Sequence, residues 1–275
     1  MLISAEKILQ VARIGGFAFP HFNFWDSNSI RAELAAAENK GLPVMLAWAQ
    51  SHSEELPIED ALNLGKFYGS NARVSVVLHL DHGMDPELVK WGASHGFTSV
   101  MIDASAEKYD DNVRITRDVV EYVHRLGVSV EAEIGHVGTN ASQDNSTYTE
   151  VDAATEFVKA TGVDSLAVSI GTSHGVYQQG VPKLNFDRIS ALRQKLTVPL
   201  VCHGGSSSGD ENLSKAAQKG IAKVNIFTDL ANVALKTTKT TNFDSELDLS
   251  ASQRNEIQSL AEHYYDVFGT SKYTY

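Results

Sequence analysis

Short apolar runs alternate with longer stretches in which apolar residues recur at helical spacing, and this alternation continues along almost the whole chain. Residues 17–22 (ending at Asn23), 43–49, 75–80, 99–102, 129–134, 165–170, 199–202 and 222–224 have the length and apolar density of buried strands. Between them, residues 27–39, 58–68, 86–94, 110–126, 151–161, 187–195 and 211–219 read as helices, and helices fill the remainder. Local signals agree: Ser27 is a plausible N-cap, Asp85 precedes a proline at the first helical position, and Gly127 closes the helix before it. Strands joined through helices must lie parallel, because a parallel pair needs a crossover. Eight such units in a chain of 275 residues predict an α/β fold of the closed TIM (β/α)8 barrel type, with an open doubly wound sheet as the runner-up. No linker interrupts the pattern, so residues 1–275 are expected to form a single barrel domain with C-terminal helices.

Composition narrows the function classes. Hydrophobic residues make up 43% of the chain and charged residues 21%, enough to bury a full core. A formal net charge of −11 works against nucleic acid and anionic membrane as partners. An anionic small ligand would then need a metal or a nest of backbone N–H groups. Cys202 is the only cysteine, so no disulfide forms within the chain and a reducing compartment fits. Residues 1–16 lack the pattern of a signal peptide, and no apolar run reaches membrane length; the expected location is the cytoplasm.

Candidate chemistry concentrates at the strand ends, where barrels of this type carry their sites. The run Val76-Val77-Leu78-His79-Leu80-Asp81-His82-Gly83 reads as a strand that delivers an acid and an imidazole to a rim, with Gly83 as the turn that breaks it. Asn23, Ala49, Asp103, Glu133, His174, His203 and Asn225 stand at the other strand ends. Three histidines on separate strand ends, His82, His174 and His203, with carboxylates beside them, suit a three-histidine metal site with one open position. Gly175, Gly204, Gly205 and Ser206 lie in the adjoining turns, and Asn225 and Thr228 precede the final helices, where a helix N-terminus favours phosphate. Residues 135–149 are polar and glycine-rich, a composition that serves a lid and a plain connecting loop equally well.

At this point the chain resembles the class II, zinc-dependent ketose-bisphosphate aldolases. The likeness rests on His79-Leu80-Asp81-His82-Gly83, Ser99-Val100-Met101-Ile102-Asp103, Val130-Glu131-Ala132-Glu133-Ile134-Gly135, the run 161–168, Gly171-Thr172-Ser173-His174-Gly175 and His203-Gly204-Gly205-Ser206. It spans residues 4–269. The resemblance implies a TIM barrel. His82, His174 and His203 would hold one catalytic Zn2+, a monovalent cation being a further option, and Asp81 would be the acid/base. Asp103 and Glu133 would hold a second metal or orient the first. Asn23, Gly175, Gly204, Ser206, Asn225 and Thr228 would bind the substrate and its phosphate. The implied reaction is reversible cleavage of a ketose phosphate to dihydroxyacetone phosphate and an aldehyde, in a homodimer or homotetramer. Such chemistry needs a Lewis acid for the charge that carbon–carbon cleavage leaves on the carbonyl fragment. The lysine-based alternative has one candidate, Lys223 on the eighth strand.

Some positions depart from the family pattern. The loop glutamate expected after the fifth strand is absent from Gly138-Thr139-Asn140-Ala141, with Asp144 and Glu150 at the wrong spacing to replace it. Ala49 replaces a serine or threonine, Gln178 a lysine, Ser207 a glycine, and Ser250 the arginine expected to bind a distal phosphate. Arg254 is the arginine that a shifted C-terminal helix would bring there. The metal ligands and Asp81 remain, so the expected substrate is a ketose 1-phosphate or a ketose with a small or uncharged distal end. A phosphosugar-binding relative with little or no turnover is the alternative.

Overall fold

Eight parallel strands close in chain order in the computed structural model of the protein, which describes residues 1–135, 137, 148–177, 180–240 and 242–274. They are β1 (Phe19–Asn23), β2 (Val44–Ala49), β3 (Val76–Gly83), β4 (Ser99–Ile102), β5 (Ser129–Ile134), β6 (Ser165–Val168), β7 (Leu200–Cys202) and β8 (Ile221–Ile226). The ring is closed by β1 pairing with β8, His21 opposite Asn225. The helices are α1 (Ala5–Gly15), α2 (Ser27–Lys40), α3 (Ile58–Asn71), α4 (Pro86–His95), α5 (Tyr109–Val123), α6 (Val151–Thr161), α7 (Phe186–Lys195), α8 (Asp210–Lys219), α9 (Thr228–Thr240) and α10 (Glu246–Val267). The barrel expected from the alternation of runs is the fold that forms.

Two buried clusters sort the apolar residues. The larger fills the layer between strands and outer helices, from Phe22 and Trp48 to Phe157 and Tyr265. The smaller brings Ile8, Leu9 and Ala12 of α1 against Phe19, Met45, Val77 and Ala222, so α1 seals one mouth of the barrel. Alternate strand residues point inward, and above this apolar layer the interior turns polar: His21, His79, Glu131 and Lys223 are all fully or almost fully buried.

Local details correct the sequence reading in places. The N-cap of α2 is Asp26, one residue before Ser27; its carboxylate accepts from the N–H groups of Asn28 and Ser29. The first strand begins at Phe19 rather than residue 17. Gly83 does not end β3 in a turn. It continues the strand and pairs with Ile102 across an irregularity that begins after Leu80. A Cβ on Gly83 would sit 2.3 Å from Val89 Cγ2 and 2.7 Å from the Met101 carbonyl oxygen, so a side chain is excluded by α4 and β4. The bulged backbone leaves His82 in the left-handed region (φ 48°), which carries its ring onto the rim. No helix among the described residues is long and apolar enough to cross a membrane. The lid-or-connection question for residues 135–149 turns on 136 and 138–147, which, with the missing glutamate at 138–141, Asp144 and Gln178, lie outside the described residues.

Candidate active site

The strand ends surround a cavity of about 370 Å³ on the rim. Its walls include Asn23, Asp81, His82, Asp103, His174, Gly175, Gly204, Ser206, Asn225 and Thr228, ten of the residues expected there from the sequence. His203 and Glu133, also expected, are buried behind this wall. Ala49, Ser51, His52, Met84, Val137 and Phe227 complete it, and among the described residues it contains no lysine or arginine.

His82, His174 and His203 converge, with one nitrogen of each lying within 4.8 Å of the others. Each ring is pinned on its other side. His82 Nδ1 is 2.8 Å from Asp103 Oδ2, His203 Nε2 is 2.9 Å from Glu131 Oε1, and His174 Nδ1 is 3.2 Å from the Val137 carbonyl oxygen. A carboxylate or carbonyl oxygen only accepts, so each of these ring nitrogens donates a proton. The nitrogens left over, His82 Nε2, His174 Nε2 and His203 Nδ1, therefore present lone pairs to one another when the rings are neutral. His82 Nε2 and His203 Nδ1 stand only 2.7 Å apart, and His174 Nε2 is buried with no hydrogen-bond partner. Such a group could hold a metal ion, and neutral imidazoles pinned by acceptors are a donor set that suits one. The field favours it as well. Burial opposes charge on His82, yet the Asp81 and Asp103 carboxylates outweigh burial and raise its pKa to about 9, so at neutral pH its Nε2 proton lies between Nε2 and His203 Nδ1, and a metal ion there would displace it. Burial and the neighbouring rings of His82 and His203 lower His174 to about 4.

Asp103 and Glu133 differ in their use. Asp103 Oδ2 meets His82, while Oδ1 accepts from the Ser105 backbone N–H at 3.1 Å and its hydroxyl at 2.7 Å. Both oxygens are engaged, an arrangement that orients a ligand rather than adds one. Glu133 is pushed up to about 8 by burial and by the Asp103 charge, and its Oε1 accepts from the Val137 N–H at 2.8 Å.

Asp81 is held from two sides. Asn23 Nδ2 donates to Oδ2 at 2.9 Å and Asn225 Nδ2 to Oδ1 at 3.1 Å. The two asparagines, expected to bind substrate and phosphate, thus direct their amide donors at the acid, although both still reach the cavity wall. Burial works against the Asp81 charge, but the facing His82 and His21 hold its carboxyl well below the usual range.

On the opposite wall Ser206 Oγ accepts from the backbone N–H groups of Phe227 at 3.2 Å and Asp229 at 3.3 Å, leaving its own proton to donate into the cavity. Gly204 lies at φ 65°, and a Cβ there would come within 2.5 Å of the Ser173 carbonyl oxygen. Thr228 is the first residue of α9.

Lys223 is no free amine. Its Nζ lies 2.7 and 2.9 Å from the oxygens of Glu131, deep in the barrel, and it does not line the cavity. Burial disfavours charge on Glu131, but the ammonium and the His203 bond hold its carboxyl well below the usual range. The alternation Ser129, Glu131, Glu133 along β5 could have signalled this interior network, since polar residues two apart on a barrel strand share the inner face. Lys223→Met is expected to cost roughly 3–5 kcal/mol in denaturant unfolding, because it strands the Glu131 charge. Replacing both partners with apolar residues is expected to cost far less. Equal losses in the single and double variants would refute the ion pair's role.

Ser250 and Arg254 are also placed otherwise than expected. Both lie on α10, which packs on α2 and α9, and neither lines the cavity. Arg254 Nη1 bonds Asn28 Oδ1 at 2.7 Å. The lack of a cationic partner for a distal phosphate on the described wall therefore rests on the cavity lining rather than on the residue at 250.

A closed parallel barrel with this rim defines an aldolase-type (β/α)8 protein, and the comparisons agree. Residues 3–272 match the family described as class-II fructose-bisphosphate aldolase, and the chain belongs to that family. It is 36% identical over 258 residues to the uncharacterized protein YdjI of Escherichia coli, covering 92% of each chain. The crystal structure of the Escherichia coli YdjI aldolase matches with a TM-score of 0.91 at 34% identity, covering 98% of both chains. The fructose-bisphosphate aldolase of Campylobacter jejuni, at 22% identity, shares the barrel with a TM-score of 0.82 over 98% of this chain and 96% of that one.

Proposed function

We propose that the protein is a zinc-dependent aldolase that cleaves a ketose phosphate reversibly to dihydroxyacetone phosphate and an aldehyde. The observation that carries this reading is the trio of pinned imidazoles, whose remaining nitrogens face one point on the rim beside Asp81. His82, His174 and His203 would hold the ion. When bound there, zinc supplies a Lewis acid for the negative charge that develops on the carbonyl half of the substrate. Asp81, ionised and steadied by Asn23 and Asn225, takes the proton from the C4 hydroxyl oxygen in cleavage and returns it to the aldehyde oxygen in condensation. Gly175, Gly204, Ser206 and Thr228 bind the phosphate through backbone N–H groups, a hydroxyl and the start of α9. Asp103 and Glu131 fix the ring orientations of His82 and His203.

The test is an assay of triose phosphate release with the zinc-loaded protein. Release is expected from ketose 1-phosphates, with a preference of roughly ten- to hundredfold over the matching bisphosphates, since a distal phosphate finds no charged partner on the described wall. Exhaustive chelation should abolish it and added zinc should restore it. Full activity after chelation would overturn the metal reading. Sugar-phosphate binding without any triose phosphate release would favour the binding-protein alternative.

A further inference from the structure

The wall beside Asp81 is built at the exit of β2, where Ala49 pairs with Asp81 of β3, and it meets the side chain of Phe227 from the exit of β8. The 3-10 turn after β2, Gln50–His52, carries His52 onto the wall. This turn is fixed: Gln50 Oε1 accepts from the Met84 N–H at 2.7 Å, and the His52 carbonyl oxygen accepts from the Leu56 N–H at 3.0 Å. The His52 ring lies against Phe227, centroids 4.4 Å apart at 43°, and Trp25 meets Phe227 edge-on at 5.9 Å. His52 is thus held by a tilted ring contact, and none of its ring nitrogens bonds to a described residue. Nδ1 is buried with no hydrogen-bond partner.

A buried N–H without an acceptor is rarer than a buried lone pair without a donor. The tautomer that suits this site therefore carries its proton on Nε2. Burial also holds the ring below its ordinary pKa, so it is neutral at pH 7. A neutral N–H beside an aromatic face recognises an oxygen on a carbon chain and does not neutralise an anion.

We propose that His52 and Phe227 form the subsite for the aldehyde half of the substrate and select a ketose 1-phosphate whose chain beyond the cleaved bond is an uncharged polyol. His52 Nε2–H donates to a distal hydroxyl, and the carbon chain packs on the Phe227 ring. This proposal rests on the aldolase reading and adds to it the residue that sets specificity.

The experiment uses two ketose 1-phosphates identical through C4, one with a hydroxyl beyond it and one with hydrogen in that place. The zinc-loaded wild type is expected to prefer the hydroxylated compound by roughly tenfold in kcat/KM. In His52→Ala this preference should fall to near unity, whereas His52→Gln, which keeps an N–H donor, should retain most of it. Metal content and thermal midpoint of each variant show whether the site is intact; a variant that fails to fold is replaced in the comparison by His52→Asn. Undiminished discrimination in the alanine variant, with cleavage intact, would overturn the subsite alone. A wild-type preference for a distal phosphate would do the same. Release of triose phosphate from neither compound nor from a bisphosphate would overturn the aldolase reading itself.

Discussion

Asp81→Asn is expected to lower triose phosphate release by two to four decades while leaving bound metal unchanged. The magnitude is the usual scale for removing a positioned acid/base, about 10²–10⁴. Asparagine keeps the size of the side chain but cannot take the C4 hydroxyl proton. It also replaces an acceptor-only group between the Asn23 and Asn225 amide donors with one that presents its own N–H2 to one of them. The imidazoles of His82, His174 and His203 make their pinning contacts elsewhere, with Asp103, Val137 and Glu131, so the metal site should survive. Metal content by elemental analysis and steady-state kinetics together decide the matter. An unchanged rate would move the proton transfer to another group, and a lost metal would make Asp81 part of the ion's support.

His174→Ala should remove both metal and activity without unfolding the barrel. Outer groups that orient metal ligands cost about 10–100-fold in affinity when lost, and a direct ligand costs more. His174 sits on the rim, its Nδ1 bonded among the described residues to the Val137 carbonyl oxygen, and it takes no part in the Lys223–Glu131 network. Its loss should therefore leave the thermal midpoint of the metal-free protein nearly unchanged. Asp103→Asn, which only loosens the hold on His82, should weaken metal binding less than His174→Ala does. The reverse ranking would mean that the ion sits in the His82, Asp103 and Glu133 group instead.

The fold was legible because buried parallel strands are short apolar runs and each crossover has a helical period. Eight of them in regular alternation with helices left few alternatives. The rim was legible through strand ends: Asp81, His82, His174 and His203 stand where β3, β6 and β7 release the chain. What escaped was geometry that depends on pairs. That Asn23 and Asn225 face Asp81 follows from β1 lying between β2 and β8, a consequence of closure that no local pattern shows. The role of Gly83 escaped for a similar reason, since its lost side chain is excluded by Val89 and Met101 from two other elements. His52 was overlooked because it lies three residues past the end of β2, in a turn whose aim is set by Gln50 and Met84.

The interior ion pair also shapes how this sequence can drift. Most barrel interiors tolerate exchange of one branched apolar residue for another. Here Lys223, Glu131 and His203 form one connected chain, and a change at any one leaves a buried charge or an unpinned ring. Lys223 and Glu131 can be exchanged for apolar residues together at little cost to the fold, but that joint step frees the ring of His203. The neutral path through the core therefore crosses a loss of chemistry at the rim. Substitutions at 131, 203 and 223, singly or together, should therefore be rare, while the outer helices diverge one residue at a time.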